Sequence, residues 1–218
     1  MQMRSILIAA ASVAALTAPA YAAQGDWLVR ARAIYVAPQD DSGPVLPAVP
    51  TGAVGVDDAI VPELDFTYFF TNNIGAELIL ATSPHDINGA AALSGLGKIA
   101  DTMALPPTLT LQYHFLPDAK FRPYVGAGVN WTIFYSEDST ASLDGALGGA
   151  TGVSLDDSFG WAVQAGADID ITERVFLNID VKYVDIDTTA TLTTGALVNT
   201  VDVDIDPIIV GVGLGMRF

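Results

Sequence analysis

Read back from Phe218, the chain alternates. Met216, Leu214, Val212, Val210 and Ile208 are large and apolar, and Arg217, Gly215, Gly213, Gly211 and Ile209 fall between them. A period of two places the first set on one face of a β-strand and the second on the other. The same period recurs in seven earlier segments, at about Asp26–Ala37, Val61–Thr71, Ile74–Thr82, Pro107–Leu116, Arg122–Tyr135, Phe159–Ile171 and Val175–Asp187. In the first, Trp27, Val29, Ala31, Ala33 and Tyr35 oppose Leu28, Arg30, Arg32, Ile34 and Val36; in the second, Leu64, Phe66, Tyr68 and Phe70 oppose Glu63, Asp65, Thr67 and Phe69. The connections alternate in length. Asn72-Asn73, the stretch around Pro117–Lys120 and Thr172–Arg174 are short, whereas residues 38–60, 84–106, 136–158 and 188–200 are long.

Eight antiparallel strands with one apolar face suit a closed barrel. A water-soluble barrel of the lipocalin kind buries its apolar face and shows charge outside. Here the apolar face ends in aromatic residues, as in the interfacial girdles of membrane barrels. A terminal phenylalanine closing an alternating strand also resembles the C-terminal insertion signal of bacterial outer-membrane barrels. The pattern therefore predicts an all-β fold: an eight-stranded antiparallel transmembrane barrel with short periplasmic turns, four long extracellular loops and both termini on the periplasmic side.

Composition supports this. Half the residues are apolar (51%), yet nothing after the first 22 residues offers some 20 consecutive apolar positions, so helical membrane spans are excluded. Met1–Ala22 reads as a cleaved secretory signal peptide: Arg4, the apolar run Ile6–Leu16, then Ala20-Tyr21-Ala22 as an A-x-A site. Residues 23–218 are then one barrel domain. Cysteine is absent, so disulfides and thiol chemistry are excluded. Nine basic residues stand against 25 acidic ones, a formal charge of −16 that argues against nucleic acid as a partner.

Charge also falls on the inward face. Arg30, Arg32, Lys182 and Arg217 share the lumen with Glu63, Asp65, Glu77, Asp168, Asp170 and Asp180. An eight-stranded lumen is only wide enough for side chains. The expectation is a salt-bridged plug, with a charged water pore as the alternative. Two loops are unusually apolar, Pro44–Pro50 and Ala90–Leu96, and suggest either a vestibule for small hydrophobic solutes or a self-packed cap. Asp185 and Asp187 share one outward parity, and Asp202, Asp204 and Asp206 share that of the neighbouring strand. These five carboxylates suggest a patch for Ca²⁺ or Mg²⁺ bridging to lipopolysaccharide phosphates, or simply solvated charge.

Catalysis finds little footing. His85 and His114 are the only histidines; Ser83, His85 and Asp86 could act together only if the fold aligned them as a triad. No phosphate loop or zinc-ligand spacing is present, and no cofactor is expected.

Several stretches resemble the outer-membrane protein W family: Asn73–Leu78, Leu105–Leu109, Phe121–Gly128, Tyr183–Ala190, Asp206-Pro207 and the closing Arg217-Phe218. They cover most of the mature chain in order. The resemblance implies residence in the outer membrane of a Gram-negative bacterium, among lipid and lipopolysaccharide, and a narrow lumen used for passive entry of small hydrophobic molecules. Its alternative is a closed structural or receptor barrel, serving bacteriocins, phage or envelope integrity. By the family's pattern Ile79 falls where an apolar gate is expected, while its usual aromatic partner is replaced by Lys182. The expected lining is Arg30, Arg32, Phe69, Ile79, Phe134 and Lys182. An ammonium at the gate disfavours a strictly hydrophobic through-channel but leaves lateral release between strands, with Pro62 either a break in the ladder or simply the start of its strand. A monomer is the expected state.

Overall fold

The computed structural model describes residues 24–218; the expected signal peptide, Met1–Ala22, lies outside the described residues. The strands are β1 (Trp27–Ala37), β2 (Asp41–Ser42), β3 (Gly52–Val56), β4 (Ala59–Phe69), β5 (Ile74–Ala81), β6 (Ser83–Ala91), β7 (Lys98–Leu105), β8 (Thr108–His114) and β9 (Phe121–Ser139). After a short helix α1 (Ala141–Leu147) come β10 (Thr151–Leu155), β11 (Ser158–Asp170), β12 (Val175–Val184), β13 (Asp187–Thr194), β14 (Leu197–Asp204) and β15 (Ile208–Arg217). Eight of them close a barrel in the order β1-β4-β5-β8-β9-β11-β12-β15, all antiparallel, with β15 returning to β1. The closing register runs from Leu28↔Arg217 to Ala37↔Ile208.

The period of two explains which side chains go where. Val210, Val212 and Leu214 are exposed to the surroundings of the barrel, whereas Arg30, Asp65, Glu77 and Asp168 are wholly buried. Apolar-out and polar-in is the arrangement that lipid imposes. Two aromatic belts bound the exposed band. Trp27, Phe70, Tyr113, Phe115, Phe121 and Phe218 mark the periplasmic rim, and Tyr35, Trp131, Tyr135, Phe159 and Trp161 the outer one. No described helix is long and apolar enough to cross a membrane.

Two periplasmic turns use one device. The Thr71 hydroxyl accepts hydrogen bonds from the amides of Asn73 and Ile74, and the Thr172 hydroxyl accepts from those of Arg174 and Val175. Each satisfies two backbone donors that a tight turn would leave to water.

Above the outer belt the alternation inverts. On β13, Thr188, Ala190 and Leu192 are buried while Asp187, Thr189 and Thr191 lie outward; on β14, Val201 and Val203 are buried while Asp202 and Asp204 are exposed. Outside is now water, so polar faces out and apolar faces in. The four segments expected as long loops are therefore largely folded. β6 and β7 form a hairpin that extends β5 and β8 and carries β3 on its edge, while β10, β13, β14 and β2 form a second small sheet. Helix α1 is capped by the Thr140 hydroxyl, which accepts from the Leu143 amide, and by Gly148 in the left-handed conformation (φ 81°). Its one buried residue, Leu143, plugs into the inner face of this extracellular structure.

Candidate functional site

The lumen divides into two storeys. The lower one is filled by ionic side chains that alternation drives inward. Arg30 reaches Asp65 and Glu77 through one guanidinium nitrogen, at 3.0 Å each, and Asp168 through the other at 3.1 Å. Arg32, two residues along the same face, contacts Glu63 at 2.7 Å, Asp65 at 2.9 Å and Asp180 at 3.1 Å. Lys182 completes the upper edge with Glu63 at 2.9 Å and Asp180 at 3.2 Å. Amides take up remaining oxygen sites: Gln112 and Gln164 donate to Glu77, and Asn178 donates to Asp168. A buried charge without a partner costs several kcal/mol, and this mesh gives each carboxylate at least one cation or amide.

Beneath it, His114 stacks on Tyr124 with 5.0 Å between ring centres, and Phe69 meets His114 edge-on at 4.8 Å. Leu28, Phe69 and Phe176 form an apolar seal at the periplasmic end. With these groups enclosed, the described residues leave no continuous path for water through the lower lumen. Reconstituted in a planar bilayer, the barrel is expected to pass no steady ohmic current through its lumen. A reproducible single-channel conductance would contradict the plug.

The upper storey is an open cavity, with about 1210 Å³ of empty space when the solvent at its mouth is included. Its walls are inward side chains of the barrel top and of the folded extracellular strands, among them Ile34, Val36, Ile87, Phe134, Ile186 and Val203. Glu63 and Lys182, with Thr108 and Thr132, form its polar floor. Of the expected lining residues, Ile79, Phe134 and Lys182 face this cavity. Arg30, Arg32 and Phe69 sit below it in the plug and its seal. The apolar loop residues take the capping role: Val45 is buried in the same apolar core, and Val49, Leu93 and Leu96 pack against it without lining the cavity.

Ser83 and His85 come together in the wall, with 2.8 Å between the hydroxyl and Nε2; Nδ1 lies 3.0 Å from the Asp57 carbonyl. With Nδ1 assigned as the donor to that carbonyl, Nε2 accepts from Ser83. Asp86 is not part of this arrangement, since its carboxylate pairs with Lys98 at 2.7 Å. The triad geometry is thus not assembled.

The strand ladder is broken beside the cavity. β5 pairs with β8 up to Ile79↔Thr108, and β6 resumes with β7 at Ser83↔Ala104 in the same register. Between them Leu80, Ala81 and Thr82 face Leu105, Pro106 and Pro107 without pairing, and two successive prolines supply no N–H. On the other side of β5, pairing with β4 ends at Glu63↔Ala81, next to Pro62, which remains in register with Ala33 of β1. Ala81 and Pro106 both line the cavity at this break.

Three of the five ladder carboxylates converge on the outer surface: Asp185, Asp187 and Asp206 present oxygens within 4.8 Å of one another. Asp206 accepts from the Tyr183 hydroxyl and the Ile186 amide, while Asp202 accepts from Thr189. Asp204 lies opposite Asp187 across the hairpin. Partial burial, then Asp185, Asp204 and Asp206, raise the Asp187 carboxyl above the usual carboxylate range. A pKa raised by folding means that the folded state binds the proton more tightly. The strain is therefore present at neutral pH and is relieved as pH falls through the folded value. Amides of β13 and β14 are expected to exchange more slowly with solvent hydrogen as pH is lowered from neutral toward the ordinary carboxylate range, after correction for intrinsic rates. Asp187→Asn should flatten that dependence.

A model of the OmpW family matches residues 23–218. Outer membrane protein W of Vibrio cholerae is 38% identical over 221 residues, covering 99% of this chain and 100% of the relative. The dibenzothiophene metabolism operon protein PahQ of Pseudomonas aeruginosa is 31% identical, with 93% of each chain covered. The crystal structure of the outer membrane protein OprG from Pseudomonas aeruginosa superposes with a TM-score of 0.83 at 35% identity, covering 90% of this chain and 97% of that one. With the belts, the closed eight-stranded ladder and a family match over the whole described region, the chain belongs to the OmpW family of Gram-negative outer-membrane β-barrels.

Proposed function

We propose that the barrel admits small hydrophobic molecules passively, capturing them in the upper cavity and releasing them sideways into the membrane. The observation that carries this reading is the contiguity of an apolar cavity with a ladder break at membrane level, above a lumen that is closed. A solute entering from outside meets apolar walls, where each methylene removed from water contributes about 0.8 kcal/mol. It cannot continue downward through the ionic mesh without stripping charges of their partners. At the unpaired stretch facing Pro106-Pro107 no backbone hydrogen bond has to break for the strands to part, and the contact that spans it is the exposed pair of hydroxyls of Thr82 and Tyr135, 2.6 Å apart. That one relative is named for a dibenzothiophene metabolism operon, hence for an apolar aromatic compound, agrees with this use.

The absence of native cysteine makes a clean test available. In the continued register Ala81 faces Pro106, so Ala81→Cys with Pro106→Cys is expected to form a disulfide across the break. Cells carrying the oxidised pair should take up a fluorescent hydrophobic probe at the rate of cells lacking the protein, and reduction should restore entry. Undiminished uptake by the cross-linked barrel would refute lateral release. Equal uptake with and without the wild-type protein would refute transport altogether and leave a barrel whose outer surface does the work.

A further inference from the structure

The floor of the cavity differs from its walls. Glu63 and Lys182 lie side by side there, and both line the open space. An ammonium has three N–H donors. Lys182 directs one to Glu63 at 2.9 Å and one to Asp180 at 3.2 Å, and the third has no acceptor among the described residues. Glu63 uses Oε1 for both Lys182 and Arg32 Nε. Its Oε2 has no bonded partner among the described residues, yet it is not among the sealed, unpaired atoms of the plug below. One donor and one acceptor are therefore left over next to each other, at the end of an otherwise apolar chamber.

The uncharged polar groups around the cavity differ in this respect: the hydroxyls of Thr108, Thr132 and Thr188 donate to the Pro106 carbonyl, the Asn130 amide oxygen and the Asp156 carbonyl. Ser83 and His85 satisfy each other, and the second imidazole nitrogen is taken by the Asp57 carbonyl. Charge narrows the choice further. Glu63 and Lys182 are the charged groups of the floor that line the open space, so a charged head of either sign would meet a like charge there. A carboxylate head would arrive beside Glu63 uncompensated, and an ammonium head beside Lys182. A pure hydrocarbon would leave both groups unpaired under a dry ligand. A hydroxyl donates one hydrogen bond and accepts another, which is the complement of what is left over.

We infer that the cavity selects apolar molecules bearing one terminal hydroxyl, aliphatic alcohols or phenols, seated head-down between Glu63 and Lys182. The inference rests on the capture reading above and adds to it the chemical class of the ligand. Lys182 and Glu63 act as specificity residues, and the apolar walls supply affinity without discriminating.

The test uses the mature barrel in lipid nanodiscs with isotope-labelled isoleucine methyl groups, titrated with 1-octanol, n-octane or octanoate on a scale of mole fraction in the lipid. Ile79 and Ile209 report from the cavity, Ile209 lying opposite Lys182 on the neighbouring strand, while Ile179 and Ile208 report from the lipid face. 1-Octanol is expected to shift the cavity methyls at a mole fraction about 10- to 100-fold below that needed for n-octane, the range given by hydrogen bonds to charged groups. The double variant Glu63→Met with Lys182→Met, which removes one charge of each sign together with the donor and acceptor, should bind both equally once its folded mobility on an unheated gel is confirmed. Equal response to octanol and octane in the wild type, or tighter binding of octanoate, would overturn the hydroxyl assignment while leaving capture intact. Shifts confined to the lipid-facing methyls for all three probes would overturn capture as well.

Discussion

Replacing Arg30 with methionine is expected to destabilise the barrel by at least about 3–5 kcal/mol, the range found when one partner of a buried ion pair is removed. Three carboxylates, those of Asp65, Glu77 and Asp168, converge on this one guanidinium, and all four residues are fully buried. Methionine has similar bulk, so the loss is electrostatic rather than a cavity. Arg30→Lys should recover little, because a single ammonium cannot fork to acceptors contributed by three strands. The fair control is Lys98→Met. Lys98 also contacts two carboxylates, Asp86 and Asp101, but all three side chains are roughly 40–50% exposed, and such surface pairs contribute about 0–1 kcal/mol. Urea unfolding in lipid vesicles, followed by the fluorescence of the lipid-facing tryptophans, measures both. Equal midpoints for the two variants would mean that the ionic mesh fills the lumen without holding it together.

The contrast between these two sites also accounts for what was legible in the sequence. In the membrane band, each strand faces lipid on one side and a narrow polar lumen on the other, so parity alone assigns every side chain. Strand count, belts, sidedness and the inward position of Arg30, Arg32, Glu63 and Lys182 all follow from it. Above the outer belt the same parity carries the opposite meaning. Ser83, His85 and Ile87 keep the inward phase of Ile79, but their outward neighbours Thr82, Pro84 and Asp86 are no longer apolar, so a search for lipid-facing strands reads the segment as loop. An apolar-in alternation running on in phase from a membrane strand is the signal that locates the cavity wall. The ladder break was half legible. Pro62 is conspicuous because it falls in an evident strand, whereas Pro106-Pro107 reads as the start of one. Its meaning depends on the register of β6 with β7, a contact that parity does not encode. Which inward charges meet is likewise a matter of strand stagger: Arg30 and Asp168 are 138 positions apart in the chain.

Gly213→Ala is expected to be nearly as damaging as the loss of Arg30, for a reason of space alone. Gly213 lies on the inward face of β15, in register with Arg32 on one side and Asn178 on the other. A methyl group there would stand 2.1 Å from the Ala31 carbonyl oxygen and 2.6 Å from the Arg32 Cα, both backbone atoms of the strand that closes the barrel. At Gly211 the nearest obstacle is a side-chain oxygen of Asp180, which can swing aside; at Gly213 the β1–β15 seam itself must open. Overpacking a tight interior costs about 1–3 kcal/mol when side chains can yield, and displacing a closing strand lies at or beyond the upper end of that range. Gly152→Ala, on the small outer sheet, meets nothing nearer than the Thr193 carbonyl at 3.9 Å and should leave stability unchanged within about 0.5 kcal/mol. Refolding yield into vesicles, read as the fraction of fast-migrating unheated barrel on a gel, separates the two. A Gly213→Ala barrel that closes as well as Gly152→Ala would show that β15 can withdraw from β1, which would make this seam a second candidate for lateral exit.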